Sequence, residues 1–250
     1  MSLTETLLRP YAGSPARPMV THYDDAAGTR VELSVASLRN WAAKTANWLV
    51  EEHDVEPGSR VATLLPAHWQ TAGVLLGAWW CGANVVTDPL DAAVAFVPPS
   101  GSAVGARTVA AVSLDPMGMD LRGNVPAGMV DYIAEARVHG DDFLALTPVP
   151  GAVRCLDGST VDEVLEVARQ RAGTKDLTSS SRVMSTVEWT TAEGIMDGLL
   201  SVLAAGASLV QVTNPDADLL AKHASTERST FNQFDPGPAL PPADEGDAPG

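Results

Sequence analysis

Lysine is nearly missing from this sequence. Of 16 basic residues in 250, only Lys44, Lys175 and Lys222 are lysines, and none lies between Lys44 and Lys175. Cysteine is as scarce, with Cys81 and Cys155 alone, which excludes a disulfide-stapled fold and a cysteine-rich zinc site. Cys81 lies in an apolar segment and reads as a small buried hydrophobe. No apolar run approaches the roughly 20 residues of a membrane span, and the start MSLTETLLRPYAGSPARPMV lacks the basic and apolar parts of a signal peptide. A cytoplasmic location is therefore expected. An excess of positive charge is missing too. The 31 acidic residues give a formal net charge of -15, which repels phosphate backbones and anionic headgroups, so neither nucleic acid nor a membrane surface is expected as a partner. His22, His53, His68, His139 and His223 are scattered without metal-ligand spacing, and no Gly-x-Ser-x-Gly elbow or Cys-His pairing supports nucleophilic catalysis.

What is present can bury a core. Hydrophobic residues make up 45% of the chain, enough for a single α/β domain over residues 1–234. Residues 1–20, with Pro10, Gly13, Pro15 and Pro18, are expected to form an irregular lead-in. The stretch MVTHYDDAAGTRVELS alternates around a turn at Gly28, the pattern of a β-hairpin. After Ser34, a good N-cap, Leu38, Trp41, Ala42, Thr45, Trp48 and Leu49 share one helical face, where tryptophans pack a core. An apolar run at 61–65, a mostly apolar helix stopped near Gly82 and a second run at 84–87 make a βαβ unit, hence parallel strands with a right-handed crossover. Strand candidates follow at 92–97 and 107–112, then a Gly- and Met-rich loop at 116–126. The rhythm repeats with a helix at 160–171, a strand in SRVMSTVEW, a buried helix in GIMDGLLSVLAAG, a strand in ASLVQVT, a helix at 217–223 and a strand at 229–232. Residues 235–250 are Pro, Gly, Ala and acid, and are expected to be a disordered tail.

Three features carry a family resemblance. A capped helix with Asn47 near its end leads to Pro57-Gly58-Ser59-Arg60-Val61; then come LLP, a helix and GANVVTDP; later comes GLLSVLAAGASLVQV. In this order and spacing the chain resembles the N-terminal region of the AMP-forming acyl-CoA synthetases over most of 30–98 and 141–232. It also resembles a group of short actinobacterial proteins that share this likeness. The implied fold is α/β and layered, a mainly parallel sheet with helices on both faces, like the first part of the synthetase large domain.

The resemblance also implies where a site belongs. A strand ending at Leu146 should lead into the family's phosphate loop, a run of Ser, Thr and Gly closed by Pro-Lys, whose backbone N–H groups and lysine hold phosphates. Here the segment is ALTPVPGAVR. Only Thr147 and Gly151 fit; Pro148 and Pro150 have no N–H, Val149 and Val153 are bulky, and Arg154 is the single cation. ATP and Mg are therefore not expected as cofactors. The family's aromatic-His element that lines the acyl pocket corresponds to VEWTTAEG, which keeps Trp189 as a wall but has no His; Glu188 and Glu193 are expected to face solvent. His68 falls at the carboxyl end of a parallel strand, where open α/β sheets bind ligands. His68 and Trp189 are thus the candidate ligand pocket, with no catalytic residue and no metal site assigned. By the resemblance, the family's adenine pocket, Mg-linked acid and C-terminal domain with its catalytic lysine fall beyond the residues that match, and none is expected to map onto a residue here. The leading expectation is a catalytically incomplete protein that binds an acyl or carboxylate ligand, or a protein partner or second copy at an exposed sheet edge. The acyl-recognition half of a split ligase, completed by another chain, is the alternative, and a purely structural domain the third reading.

Overall fold

The computed structural model describes residues 1–234; the expected tail at 235–250 lies outside the described residues. The chain opens with α1 (Leu3–Leu8), where Ser2 and Glu5 form a reciprocal capping box. This helix corrects the expected irregular lead-in: the Pro and Gly residues begin only at Pro10, leaving room for two turns. A 3-10 turn (Arg9–Tyr11) leads to the hairpin of β1 (Pro18–Asp24) and β2 (Thr29–Ser34), and Ser34 caps α2 (Val35–His53) as expected. The first βαβ unit is β3 (Arg60–Thr63), α3 (Trp69–Trp80) and β4 (Asn84–Val86), followed by β5 (Val94–Val97), β6 (Thr108–Ala111), β7 (Val130–Asp131) and α4 (Tyr132–Ala136). A two-stranded turn, β8 (Arg154–Leu156) and β9 (Ser159–Thr160), precedes α5 (Val161–Thr174). The second unit is β10 (Arg182–Ser185), then α6 (Ala192–Ile195) running through a π-helical turn (Met196–Leu200) into α7 (Ser201–Ala204), then β11 (Ser208–Thr213). It is followed by α8 (Ala217–Glu227) and β12 (Phe231–Gln233).

The fold is layered, mixed α/β with mainly parallel strands, but these divide into two sheets. One has the order β12-β10-β11-β1-β2 and the other β7-β6-β5-β3-β4-β8-β9. Among the described residues only the β1–β2 and β8–β9 pairs are antiparallel. The division follows from β1, which pairs in parallel with β11 and so joins strands almost two hundred residues later. Helices cover both faces of the five-stranded sheet: Tyr23, Met184, Val210 and Val212 pack with Leu220 and Ala224 of α8 on one side, and Val20, Val183 and Leu209 enter the main core on the other. Among the described residues, one face of the seven-stranded sheet, with Ala62, Val86, Ala95 and Val97, packs against the loop residues Ala92 and Ala103.

The helix α3 shows why the two units cohere. All twelve of its residues are buried, as expected for a helix that is apolar on every side. Its crossing with α2 is close because Gly77 has no side chain: a Cβ there would overlap Cβ of Thr45 and lie 2.7 Å from the Ala42 carbonyl oxygen. The same region is tied down by a 2.7 Å hydrogen bond between the Thr45 and Tyr132 hydroxyls. Gly77→Ala should therefore destabilise the chain by about 1–3 kcal/mol, seen as a lower urea midpoint with an unchanged slope; an unchanged midpoint would show that the helices can separate freely.

Candidate functional site

The junction ALTPVPGAVR is not the end of a strand. Residues 143–153 form an irregular loop, with Leu144 and Leu146 at 83% and 90% exposure, and the strand β8 begins only at Arg154. Its bulky residue has a packing role. Val149 is buried against Gly82, whose positive φ of 86° stops α3, and a Cβ on Gly82 would approach Val149 to 2.9 Å. The carbonyls of this loop are turned to the start of α5. Val161 N–H donates to the Val153 carbonyl at 2.9 Å and Asp162 N–H to the Gly151 carbonyl at 3.0 Å, while the Thr160 hydroxyl caps Glu163 N–H. The Asp162 carboxylate itself abuts Gly151, where a Cβ would overlap both of its oxygens. A helix start that could attract an anion is thus filled by the chain's own carbonyls and by the two carboxylates of its first turn, Asp162 and Glu163.

The three positions singled out in this loop are not brought together. Thr147 is exposed and lines a cavity of ≈ 470 Å³ floored by Val50, Val55 and Cys81 and edged by Glu51, Glu56 and Asp142. Arg154 instead lines a separate cavity with Arg60 and Asn84, and Gly151 lies against Asp162. The Cys81 thiol on the first cavity's floor is pushed up to about 12 by burial, so it stays protonated and unreactive at neutral pH.

His68 and Trp189 are placed differently, at the carboxyl ends of strands in the two sheets. His68 is buried and caps α3, its Nδ1 accepting from Gln70 N–H at 3.1 Å. Trp189 is fully buried against the π-helical turn, where a Cβ on Gly198 would overlap the indole. Turns of this kind recur at functional sites. The two loops touch: Ala67 N–H donates to Glu188 Oε2 at 3.1 Å, so Glu188 is a bridge between the sheets and not the solvent-facing residue expected. Glu193, by contrast, is exposed and pairs with Arg171.

His22, Gln211 and Thr63 were not legible as site residues. His22 stands edge to face with His68, ring centroids 4.3 Å apart, and its strand register sets it beside Gln211. Gln211 donates through Nε2 to the Val187 carbonyl at 3.2 Å. Around this seam lie buried polar atoms without a partner: His22 Nδ1, Gln211 Oε1, Thr63 Oγ1 and the Trp189 indole nitrogen. Since such atoms are normally paired, their concentration at the carboxyl ends of strands from both sheets marks this seam as the candidate ligand-binding site. Burial lowers the His22 imidazole to about 4, opposed by Asp24, and His68 to about 2, helped down by His22. Both rings are neutral. Among the described residues, no group of three or more His, Cys, Asp and Glu side chains could hold a metal ion, and no helix is long and apolar enough to cross a membrane.

No protein-family model matches the chain. A Mycobacterium tuberculosis (strain ATCC 25618 / H37Rv) protein named "TIGR03089 family protein" is 46% identical over 225 residues, covering 86% of this chain and 91% of the relative. Among solved structures, the Brucella canis acyl-CoA synthetase superposes with a TM-score of 0.78 at 17% identity, over 94% of this chain and 47% of the synthetase. The anthranilate CoA ligase AuaEII, solved with anthranoyl-AMP, gives 0.71 at 15% identity over 93% of this chain and 49% of the ligase. A benzoate CoA ligase from Burkholderia xenovorans LB400 gives 0.68 at 15% over 92% and 50%. The fold is that of the acyl-CoA synthetases, and the chain spans about half the length of the solved enzymes it matches.

The neutral histidines set a pH dependence. Their folded values lie below the unfolded one of 6.5, so the unfolded chain binds more protons and stability is lost as pH falls. Burial lowers His53 in the same direction. Denaturant titrations should show stability falling below about pH 6.5, by roughly 1.4 kcal/mol per pH unit for each of His22 and His68; a flat profile down to about pH 5 would contradict the buried neutral pair.

Proposed function

The chain belongs to the TIGR03089 family, and from the filled start of α5 we propose that it is a catalytically incomplete, cytoplasmic acyl-CoA-synthetase-like protein whose role is to bind. The observation that carries this reading is the Asp162 carboxylate seated at Gly151, with the Gly151 and Val153 carbonyls consuming helical N–H groups. A phosphate brought to the loop would meet carboxylates and carbonyls where an ATP-using enzyme needs donors and a cation. Pro148 and Pro150 remove two more donors, and a partner chain cannot return them.

The bound species is an acyl ligand at the seam of His68, Trp189 and the neighbouring strands, or a protein partner at a sheet edge. Among the described residues β12 stands at the edge of its sheet, which supports a second copy or another chain docking there. If that chain completes an active site, this one is the acyl-recognition half of a split AMP-forming ligase.

Calorimetric titration of the purified chain with Mg-ATP and with AMP separates these readings. No saturable heat is expected even at millimolar nucleotide; micromolar binding, about -8 kcal/mol, would overturn the proposal and direct attention to the split ligase. Sedimentation at rising protein concentration should show association if the β12 edge pairs with a second copy, and a monomer throughout would remove that partner.

A further inference from the structure

The seam between the two sheets carries information about its ligand that neither the family nor the fold supplies, because hydrogen bonding fixes which ring nitrogens carry protons. Thr213 has one hydroxyl hydrogen, and it is donated to the Tyr23 carbonyl at 3.1 Å. Thr213 Oγ1 can therefore only accept from His22 Nε2, 2.9 Å away, which puts the proton on Nε2 and leaves Nδ1 a bare acceptor. His68 has the complementary state: Nδ1 accepts from Gln70 N–H, so Nε2 carries the hydrogen and is a donor. Gln211 is oriented as well. Its amide nitrogen faces the Val187 and Val212 carbonyls, which can only accept, so the amide oxygen is the free end.

The result is a mixed set of groups. His22 Nδ1 and Gln211 Oε1 are unpartnered acceptors from residues adjacent in parallel register. The Trp189 indole N–H is an unpartnered donor, and it follows Glu188, whose carboxylate is held by Ala67 N–H. His22 and Gln211 are 1% and 0% exposed and Trp189 0%, whereas Leu64, Pro66, Val187 and Glu188 around them are half-buried and border solvent. Among the described residues, Lys175 and Arg171 are already paired with Asp197 and Glu193.

We propose that this seam holds the uncharged head of an acyl ligand, a primary carboxamide or an undissociated carboxyl group, and discriminates against a carboxylate. This deepens, and rests on, the ligand-binding reading above. A carboxylate only accepts hydrogen bonds; it would leave two buried acceptors bare and face the Glu188 carboxylate. An ammonium only donates and would leave the indole N–H bare. A primary carboxamide does both, giving one N–H each to His22 and Gln211 and accepting from Trp189 or His68 through its carbonyl, and a protonated acid does so with its single O–H given to one of the two acceptors.

The test is calorimetric titration of the full chain with octanamide and with octanoate at about pH 7.5, with octanoate repeated at about pH 5.5. Octanamide should bind at least about tenfold more tightly than octanoate at the higher pH. Tighter octanoate binding at the lower pH, with octanamide unchanged, identifies the undissociated acid as an accepted head; octanamide binding alone identifies the amide. The charged and titratable groups facing the seam are His22 and Asp24 of β1, His68 of the loop after β3, and Glu188 of the loop after β10, so octanamide serves as the control for their titration. Trp189→Phe keeps an aromatic ring but removes the N–H together with part of the indole's volume, and should weaken octanamide about tenfold. Should that variant fail to fold, Gln211→Met provides the same comparison from the acceptor side. Octanoate binding as tightly as octanamide at the higher pH would overturn the head-group assignment and leave the ligand reading standing. No heat from either compound would end both.

Discussion

The parallel pairing of β1 with β11 is the contact on which the rest depends. Five successive residues, from Val20 opposite Leu209 to Asp24 opposite Thr213, hold the N-terminal hairpin to a strand from the far end of the chain. Without it the hairpin would have no sheet to join, since two strands alone are marginal in water. With it, His22 and Asp24 lie beside Gln211 and Thr213, and residues of α1, α2 and α3 share one continuous core with strands of both sheets. The cost of closing so long a loop grows only slowly with its length, and burying β1 on both faces offsets it.

The same economy of donors governs the two places where the synthetase fold invites function. At the start of α5, every feature satisfies the chain internally: carbonyls take the N–H groups, Thr160 and Glu163 cap each other, and Asp162 supplies the negative charge that the helix dipole favours. At the seam between the sheets the balance is reversed. His22, Gln211, Thr63 and Trp189 each keep a buried polar atom without a partner, although unpaired buried groups cost about 1–3 kcal/mol. Of the two, the phosphate-loop counterpart has its helix start satisfied within the chain, and the seam keeps buried polar atoms unpaired. A shared fold does not by itself fix the chemistry, which is set by the residues at these two places.

The other ionic features hold elements in place. Glu227 is held by Arg30 at 2.8 Å, by Arg182 and by the Tyr23 hydroxyl. Burial opposes its ionisation, and these three hydrogen bonds outweigh that and draw the carboxyl down to about 2. His223 pairs with Asp25 at 2.8 Å and packs on the Tyr23 ring. Both arrangements pin α8 to the outer face of the five-stranded sheet, which accounts for charged groups at a surface otherwise formed by Met184, Val210 and Val212.

The sequence by itself determined what depends on neighbours along the chain: the hairpin at Gly28, the Ser34 cap and amphipathic face of α2, the wholly apolar α3, the repeated βαβ rhythm, and the loss of donors at Pro148 and Pro150. These are matters of local backbone chemistry and periodicity, and the structure has each of them. Only the tertiary structure decided what depends on residues far apart. The division into two sheets came from the β1–β11 pairing, and at the phosphate-loop counterpart Asp162 came to rest against Gly151. His22 and Gln211 read in isolation as a scattered histidine and a polar residue in an apolar strand. They become neighbours because parallel register, which no local pattern encodes, sets residues 22 and 211 side by side.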